Sequence, residues 1–258
     1  MGKYNIKKYL DSLPDDIETL DVSYKDLNYL PDLSRFKKLK ILYCYGNYLI
    51  TLSILPENLK ELWCNNNNLT SLPVLPENLK RLDCYNNKLT SLPVLPKKLK
   101  ELCCFFNNLI SLPILPENLK ILSCYYNNLT SLPVLPENLK KLYCHYNNLS
   151  SLPILPENLE RLHCYNNKLT SLPILPENLK ELYYNSNPIY DIILNDSNIN
   201  TINKNIKIWN NFCHLYYCLK YRKRFLRMME PIIKKRYHPS YLDDLTEKDD
   251  LDEKLNRW

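Results

Sequence analysis

The chain repeats itself every 20 residues, and no other feature narrows its possible folds as far. From Leu59 it reads LKELWCNNNNLTSLPVLPEN and then LKRLDCYNNKLTSLPVLPKK, and it holds this phase without insertion from Leu39 to Asn178. Seven full units result, a partial eighth starts at Leu179, and an earlier unit around Ile17 is two residues longer than the rest. Leu13-Pro14-Asp15-Asp16 matches the LPEN lead-in, so the register reaches almost to the N-terminus. One unit is too short to enclose a core. Stacked units can, because each coil covers the apolar edges of the next.

Within a unit, Leu62 and Cys64 alternate with variable residues, the period-two pattern of a half-buried strand. Leu72, Pro73, Leu75 and Pro76 then form a return, and two prolines so close together deny it an α-helix. An extended or polyproline-like arc fits instead. Nine such strands stacked in parallel at ~4.8 Å predict a ladder about 38 Å long.

With 2 Gly and 18 Pro in 258 residues, something other than glycine must supply the left-handed turns, and asparagine is the next best residue for that backbone. A second role falls to the column Asn47, Asn67, Asn87, Asn107, Asn127, Asn147, Asn167 and Asn187. Its amides can bond the turn backbone that the coil leaves unpaired. The column Cys44, Cys64, Cys84, Cys104, Cys124, Cys144 and Cys164 occupies the place of a core leucine or valine, where small thiols act as apolar fillers. Seven is an odd number to pair and the thiols point the same way, so the expectation is reduced cysteine, neither cross-linked nor metal-bound.

The motifs L-P-E-N-L-K-E-L and N-N-x-L-T-S-L-P resemble the short, LPX-type leucine-rich repeats of secreted bacterial effectors. They are similar as well to repeat proteins encoded by giant DNA viruses, which share the Asn, Ile, Lys and Tyr bias. The resemblance covers residues 13–192. It implies a leucine-rich-repeat horseshoe, an α/β repeat solenoid with its parallel sheet on the concave face. It further implies a non-catalytic scaffold that binds a host protein in the host cytoplasm. Some bacterial relatives append a large ubiquitin-ligase domain, and the 66 residues after the repeats are too few for one. The expected organisation is an N-terminal cap over 1–16, the solenoid over 17–192, and a helical cap and tail over 193–258.

Strand residues that alternate with the buried columns should face outward. Tyr43, Trp63, Tyr143 and Tyr183 fall in one such column, and Tyr45, Tyr85, Phe105, Tyr125 and Tyr165 in the next, with Phe106, Tyr126 and Tyr146 beside them. Tyr and Trp give contact area with few torsions to freeze, which makes the nine residues of the first two columns the candidate protein-binding residues. The alternative is that the rings stack along the ladder and stiffen it, and the two uses are compatible.

Other chemistries find less support. Two glycines allow no Gly-rich phosphate loop, and no apolar run approaches the ~18 residues of a membrane helix. No signal-peptide core opens the chain, so the sequons at Asn68, Asn128, Asn148 and Asn195 read as by-products of the repeat. Cys103 has Asp83 and Ser123 as lateral neighbours, not a histidine, and no carboxylate converges on His145 and His163 at equivalent positions. No cofactor or metal is expected.

Charge sets the C-terminal segment apart. Residues 39–178 carry 13 Lys and Arg against 10 Asp and Glu, 199–236 carry 10 against 1, and 237–258 carry 3 against 7. Ile206, Trp209, Phe212, Leu219, Phe225 and Met229 recur at helical spacing until Pro231, and Ser240 to Asp243 looks like the cap of a second helix. A helical cap over the last coil is the expectation. The basic residues Lys220, Arg222, Lys223, Arg224 and Arg227 offer an alternative function, nucleic-acid binding with the aromatics stacking on unpaired bases.

Overall fold

The computed structural model describes residues 5–190 and 199–213. Each coil contributes one three-residue strand: β1 (Thr19–Asp21), β2 (Ile41–Tyr43), β3 (Glu61–Trp63), β4 (Arg81–Asp83), β5 (Glu101–Cys103), β6 (Ile121–Ser123), β7 (Lys141–Tyr143), β8 (Arg161–His163) and β9 (Glu181–Tyr183). They form one parallel sheet in chain order. The register is a constant 20 residues from Leu42↔Leu62 onward and 22 at Leu20↔Leu42, as the longer first unit requires.

Every middle strand residue points inward, and Leu62, Leu82, Leu102, Leu122, Leu142 and Leu162 are completely buried. Leu59, Leu69 and their equivalents join them, together with the whole cysteine column. Val22 stands before that column and Tyr184 after it, so it starts and ends on larger apolar groups. The thiols carry no disulfide. Burial pushes Cys44, Cys124 and Cys164 up to about 12 and raises the others too, which leaves them as uncharged filler.

The return is extended, with no helix in any coil. It ends in a tight turn in which the Leu59 N–H donates to the Pro56 carbonyl at 3.1 Å, repeated at Leu79, Leu99 and on to Leu179. This turn is what the L-P-E-N motif encodes. Pro56 presets its entry and Asn58 is free to reach sideways, donating to the Lys37 carbonyl of the preceding coil at 2.9 Å.

The left-handed residue of each coil corrects one expectation. It is Gly46, Asn66, Asn86 and Asn166, but also Tyr24, Phe106, Tyr126, Tyr146 and Ser186. Asparagine therefore does not monopolise the turn, and the invariant asparagine column lies one residue later. At Gly46 a Cβ would meet the ring of the exposed Tyr24, so glycine lets that ring lie over the turn. Aromatic residues at φ near 50° each bear a steric cost of about 1–2 kcal/mol. They are held there by backbone bonds to the next coil, such as Tyr126 N–H to the His145 carbonyl at 3.1 Å.

By its contacts the chain forms two units, Met1–Lys207 and Ile208–Trp258. In the first, α1 (Ile6–Asp11) buries Ile6 and Leu10 and is capped by the Asn5 side chain, which accepts from the Lys8 N–H at 3.0 Å. Towards the other end the chain is helical again over 199–213. Ile202 and Ile206 are buried there, and the Asn203 amide exchanges two hydrogen bonds with the Leu175 backbone at 2.8 and 2.9 Å. The basic run Lys220–Arg227, the stop at Pro231 and the second helix lie outside the described residues.

Candidate functional site

The exposed face of the sheet is built on a frame that the asparagine column holds rigid. The Asn107 amide donates to the carbonyls of Cys84, Cys104 and Phe105 at 3.1, 3.2 and 3.3 Å, and its oxygen accepts from the Leu89 N–H at 3.0 Å. The same set repeats from Asn47 to Asn187, each side chain tying its own coil to the one before. The residues between are left to vary.

Two ring columns run along that face. Tyr85, Phe105, Tyr125, His145 and Tyr165 form one continuous stack with centroids 4.3–4.4 Å apart and planes within 12°. Phe106, Tyr126 and Tyr146 form a second, at 4.3 and 4.1 Å, set edge-on against the first. The stacking anticipated as an alternative is therefore present. Ring faces are covered by other rings and the edges point outward. Such pairs contribute about 0.5–1.5 kcal/mol each, enough to offset most of the left-handed strain at Phe106, Tyr126 and Tyr146.

A third column carries the polar chemistry. Trp63 lies beside Tyr43 at 5.8 Å and under the Arg81 guanidinium at 4.0 Å, and its indole N–H donates to Glu61 at 3.2 Å. Arg81 bridges Glu101 at 2.6 Å and Asp83 at 3.4 Å. Asp83 is almost wholly buried, with one carboxylate oxygen unpartnered. Burial outweighs the Arg81 charge and lifts its carboxyl to about 6. Cys103 sits between Asp83 and Ser123 in the register, as the sequence indicates. Burial first, then the Asp83 charge, pushes its thiol to about 12, which leaves it a poor nucleophile.

Tyr143, His163 and Tyr183 continue this column edge to face at 4.8 and 4.7 Å. No carboxylate stands at the equivalent positions of the two histidines, but Glu181 reaches His163 at 2.9 Å and Arg161 at 3.2 Å. The contact is diagonal: Glu181 belongs to the next coil and to the neighbouring column, beyond the lateral pairs that a one-dimensional reading compares. His145 and His163 are 6.2 Å apart. His145 is held neutral, down at about 4, by burial and then by the charge of His163. Among the described residues no group of three or more His, Cys, Asp or Glu could hold a metal ion.

Of the nine predicted binding residues, eight are half-buried, and Tyr183 is 49% exposed. They lie on one face, though in three clusters: Tyr43, Tyr45 and Trp63; the stack from Tyr85 to Tyr165; and Tyr143 with Tyr183. The sequence reading passed over the return side, where Ile54, Val74, Val94, Ile114, Val134 and Ile154 are 79–89% exposed. The signal was present, since that position holds only Val or Ile while flanked by buried leucines.

Comparison with known proteins agrees with this architecture. The family model for leucine-rich repeats, in two copies, matches residues 57–97. A search of curated proteins gives no match. Among solved structures, YopM from Yersinia enterocolitica is 40% identical with a TM-score of 0.67 over 69% of this chain and 39% of its own. The leucine-rich-repeat domain of a Shigella effector is 31% identical with a TM-score of 0.55, over 64% of this chain and 75% of its own. The functional domain of InlJ from Listeria monocytogenes, described as including a cysteine ladder, is 27% identical with a TM-score of 0.56, over 72% of this chain and 47% of its own. The chain thus spans about two-fifths of the Yersinia protein. A 20-residue unit, a nine-stranded parallel sheet and these matches lead to one conclusion: the chain belongs to the leucine-rich-repeat family, in the short form found in bacterial effectors.

Proposed function

We propose that the protein is a non-catalytic scaffold whose exposed sheet face binds another protein. The observation that carries this is the contrast between a frame that repeats from coil to coil and a face whose side chains vary and are rich in aromatic and charged residues. Trp63 with Arg81 at one end, and Tyr143, His163 and Tyr183 at the other, are anchors of the kind that dominate protein interfaces. The similar Shigella structure is that of an effector domain, which supports a host protein as target and the host cytoplasm as the place of action.

A nucleic-acid reading has less to rest on along the solenoid. A base-stacking platform needs open ring faces, and in the five-ring column the inner faces are covered by neighbouring rings. Its basic residues Arg222, Lys223 and Arg224 belong to the segment outside the described residues.

The test is capture of partners from a host-cell lysate by the wild type and by Trp63→Ala with Tyr143→Ala. Loss of at least one partner from the variant, with its unfolding transition retained, is the expected result. Equal recovery of every partner removes the sheet face from consideration.

A further inference from the structure

We propose that the margin of the exposed face just past the strands, along the second ring column, is a binding groove for a neutral, linear oligosaccharide, distinct from the proposed protein anchors at Trp63 and Tyr143. A groove of about 510 Å³ runs there across five coils, from Asn86 to Asn166. Its lining consists of nine asparagines and the three rings Phe106, Tyr126 and Tyr146. No charged residue contributes, in a chain that is 24% charged.

Seven of the nine carboxamides divide by role. Those of Asn87, Asn107, Asn127 and Asn147 form the floor and are spent on the backbone of the frame. Asn108, Asn128 and Asn148 are fixed through their backbone N–H groups, which donate to the Leu89, Leu109 and Leu129 carbonyls at 2.9, 2.9 and 2.8 Å. Their side chains remain uncommitted, one per coil, opposite one ring per coil. In the flanking coils the same position is Lys88 and Lys168, so the neutral wall is limited to these three.

The rings themselves are the second observation. Phe106, Tyr126 and Tyr146 adopt a left-handed backbone at a position where Asn66, Asn86 and Asn166 do so with less steric cost. Three successive coils along the groove thus place an aromatic residue against local preference, as Tyr24 does in the first coil, and such outliers cluster at ligand sites.

The chemistry selects the ligand. A carboxamide presents a donor and an acceptor in one plane, which suits adjacent hydroxyls, and ring edges and hydroxyls suit the mixed C–H and O–H surface of a pyranose. The absence of charge argues against phosphates, sulfated glycans and charged peptides. Five coils stacked at ~4.8 Å give the groove a length that suits several linked sugars rather than one.

The experiment is titration calorimetry with cellohexaose, chitohexaose and, as a charged comparator, a heparin hexasaccharide. The protein is produced without N-glycosylation, because Asn128 and Asn148 are sequon residues and an attached glycan would fill the groove. Saturable binding of at least one neutral hexamer, tighter than heparin, is expected. Tyr126→Asn and Asn128→Lys each place a residue that another coil already carries there, so folding is preserved, and each should weaken binding at least tenfold. Trp63→Ala should leave it unchanged. The proposal is overturned by no binding of either neutral hexamer at millimolar concentration, by preference for heparin, by full affinity in both groove variants, or by loss of binding in Trp63→Ala.

Discussion

Two asparagine ladders run along the solenoid, and only one of them is uninterrupted. The inner ladder, Asn47 to Asn187, is an asparagine in all eight coils, and each amide meets several backbone groups. The outer ladder, Asn58 to Asn178, makes one inter-coil bond per residue on an exposed surface, such as Asn118 to the Lys97 carbonyl at 2.9 Å. It tolerates Lys98, whose ammonium bonds to the Asn78 side chain instead. The amide is the same in both, so what differs is access to water. A backbone group that loses its partner inside costs about 1–3 kcal/mol, whereas outside water replaces the partner.

The largest effect should come from the inner ladder. Asn107→Leu strands the Leu89 N–H and the second bonds of the Cys84 and Cys104 carbonyls, and should lower unfolding free energy by about 3 kcal/mol in urea titration. A loss below about 1 kcal/mol would show that the coil turns satisfy themselves.

Asp83 asks whether a buried carboxylate with one unpartnered oxygen follows the same rule. Its folded carboxyl, at about 6, lies above the ordinary 3.8, so the folded state holds an extra proton between those values. Its contribution to stability therefore falls as pH rises from about 4 to 6 and stays low above that. Asp83→Asn should gain roughly 2 kcal/mol over wild type at pH 7.5 and almost nothing at pH 4. His145, held down at about 4, acts with the opposite sign, since acid must charge it only on unfolding. Taking the difference between wild type and variant at each pH cancels that contribution. An equal gain at both pH values would contradict the burial of Asp83.

The smallest effect belongs to the outer ladder. Lys98→Asn restores its missing rung and should stabilise by no more than about 0.5 kcal/mol, read as a shift in the thermal midpoint.

Much of this was readable from the sequence because a 20-residue period fixes which residues stack. The buried leucines, the cysteine column, the bonding role of Asn47 to Asn187 and the outward aromatics all follow from phase alone. Diagonal relations did not follow, and so the contact of Glu181 with His163 was missed. Nor did the left-handed aromatics, because propensity assigns Phe106 and Tyr126 elsewhere and only the stack beside them makes the position tenable. The Asn58 ladder was hidden inside a motif read only as the lead-in to each unit, since a side chain reaching sideways leaves no periodic hydrophobic mark.

Asn127 and Asn138 lie in one coil and test the frame directly. The first bonds Cys104, Cys124 and Tyr125 and accepts from Leu109, and the second bonds only Glu117 at 2.9 Å. Urea unfolding of Asn127→Ala and Asn138→Ala, measured side by side, should show a loss of about 2–3 kcal/mol for the first and less than about 0.5 for the second. Equal losses would mean that burial does not set the worth of these amides, and that the inner ladder is not what holds the binding face in place.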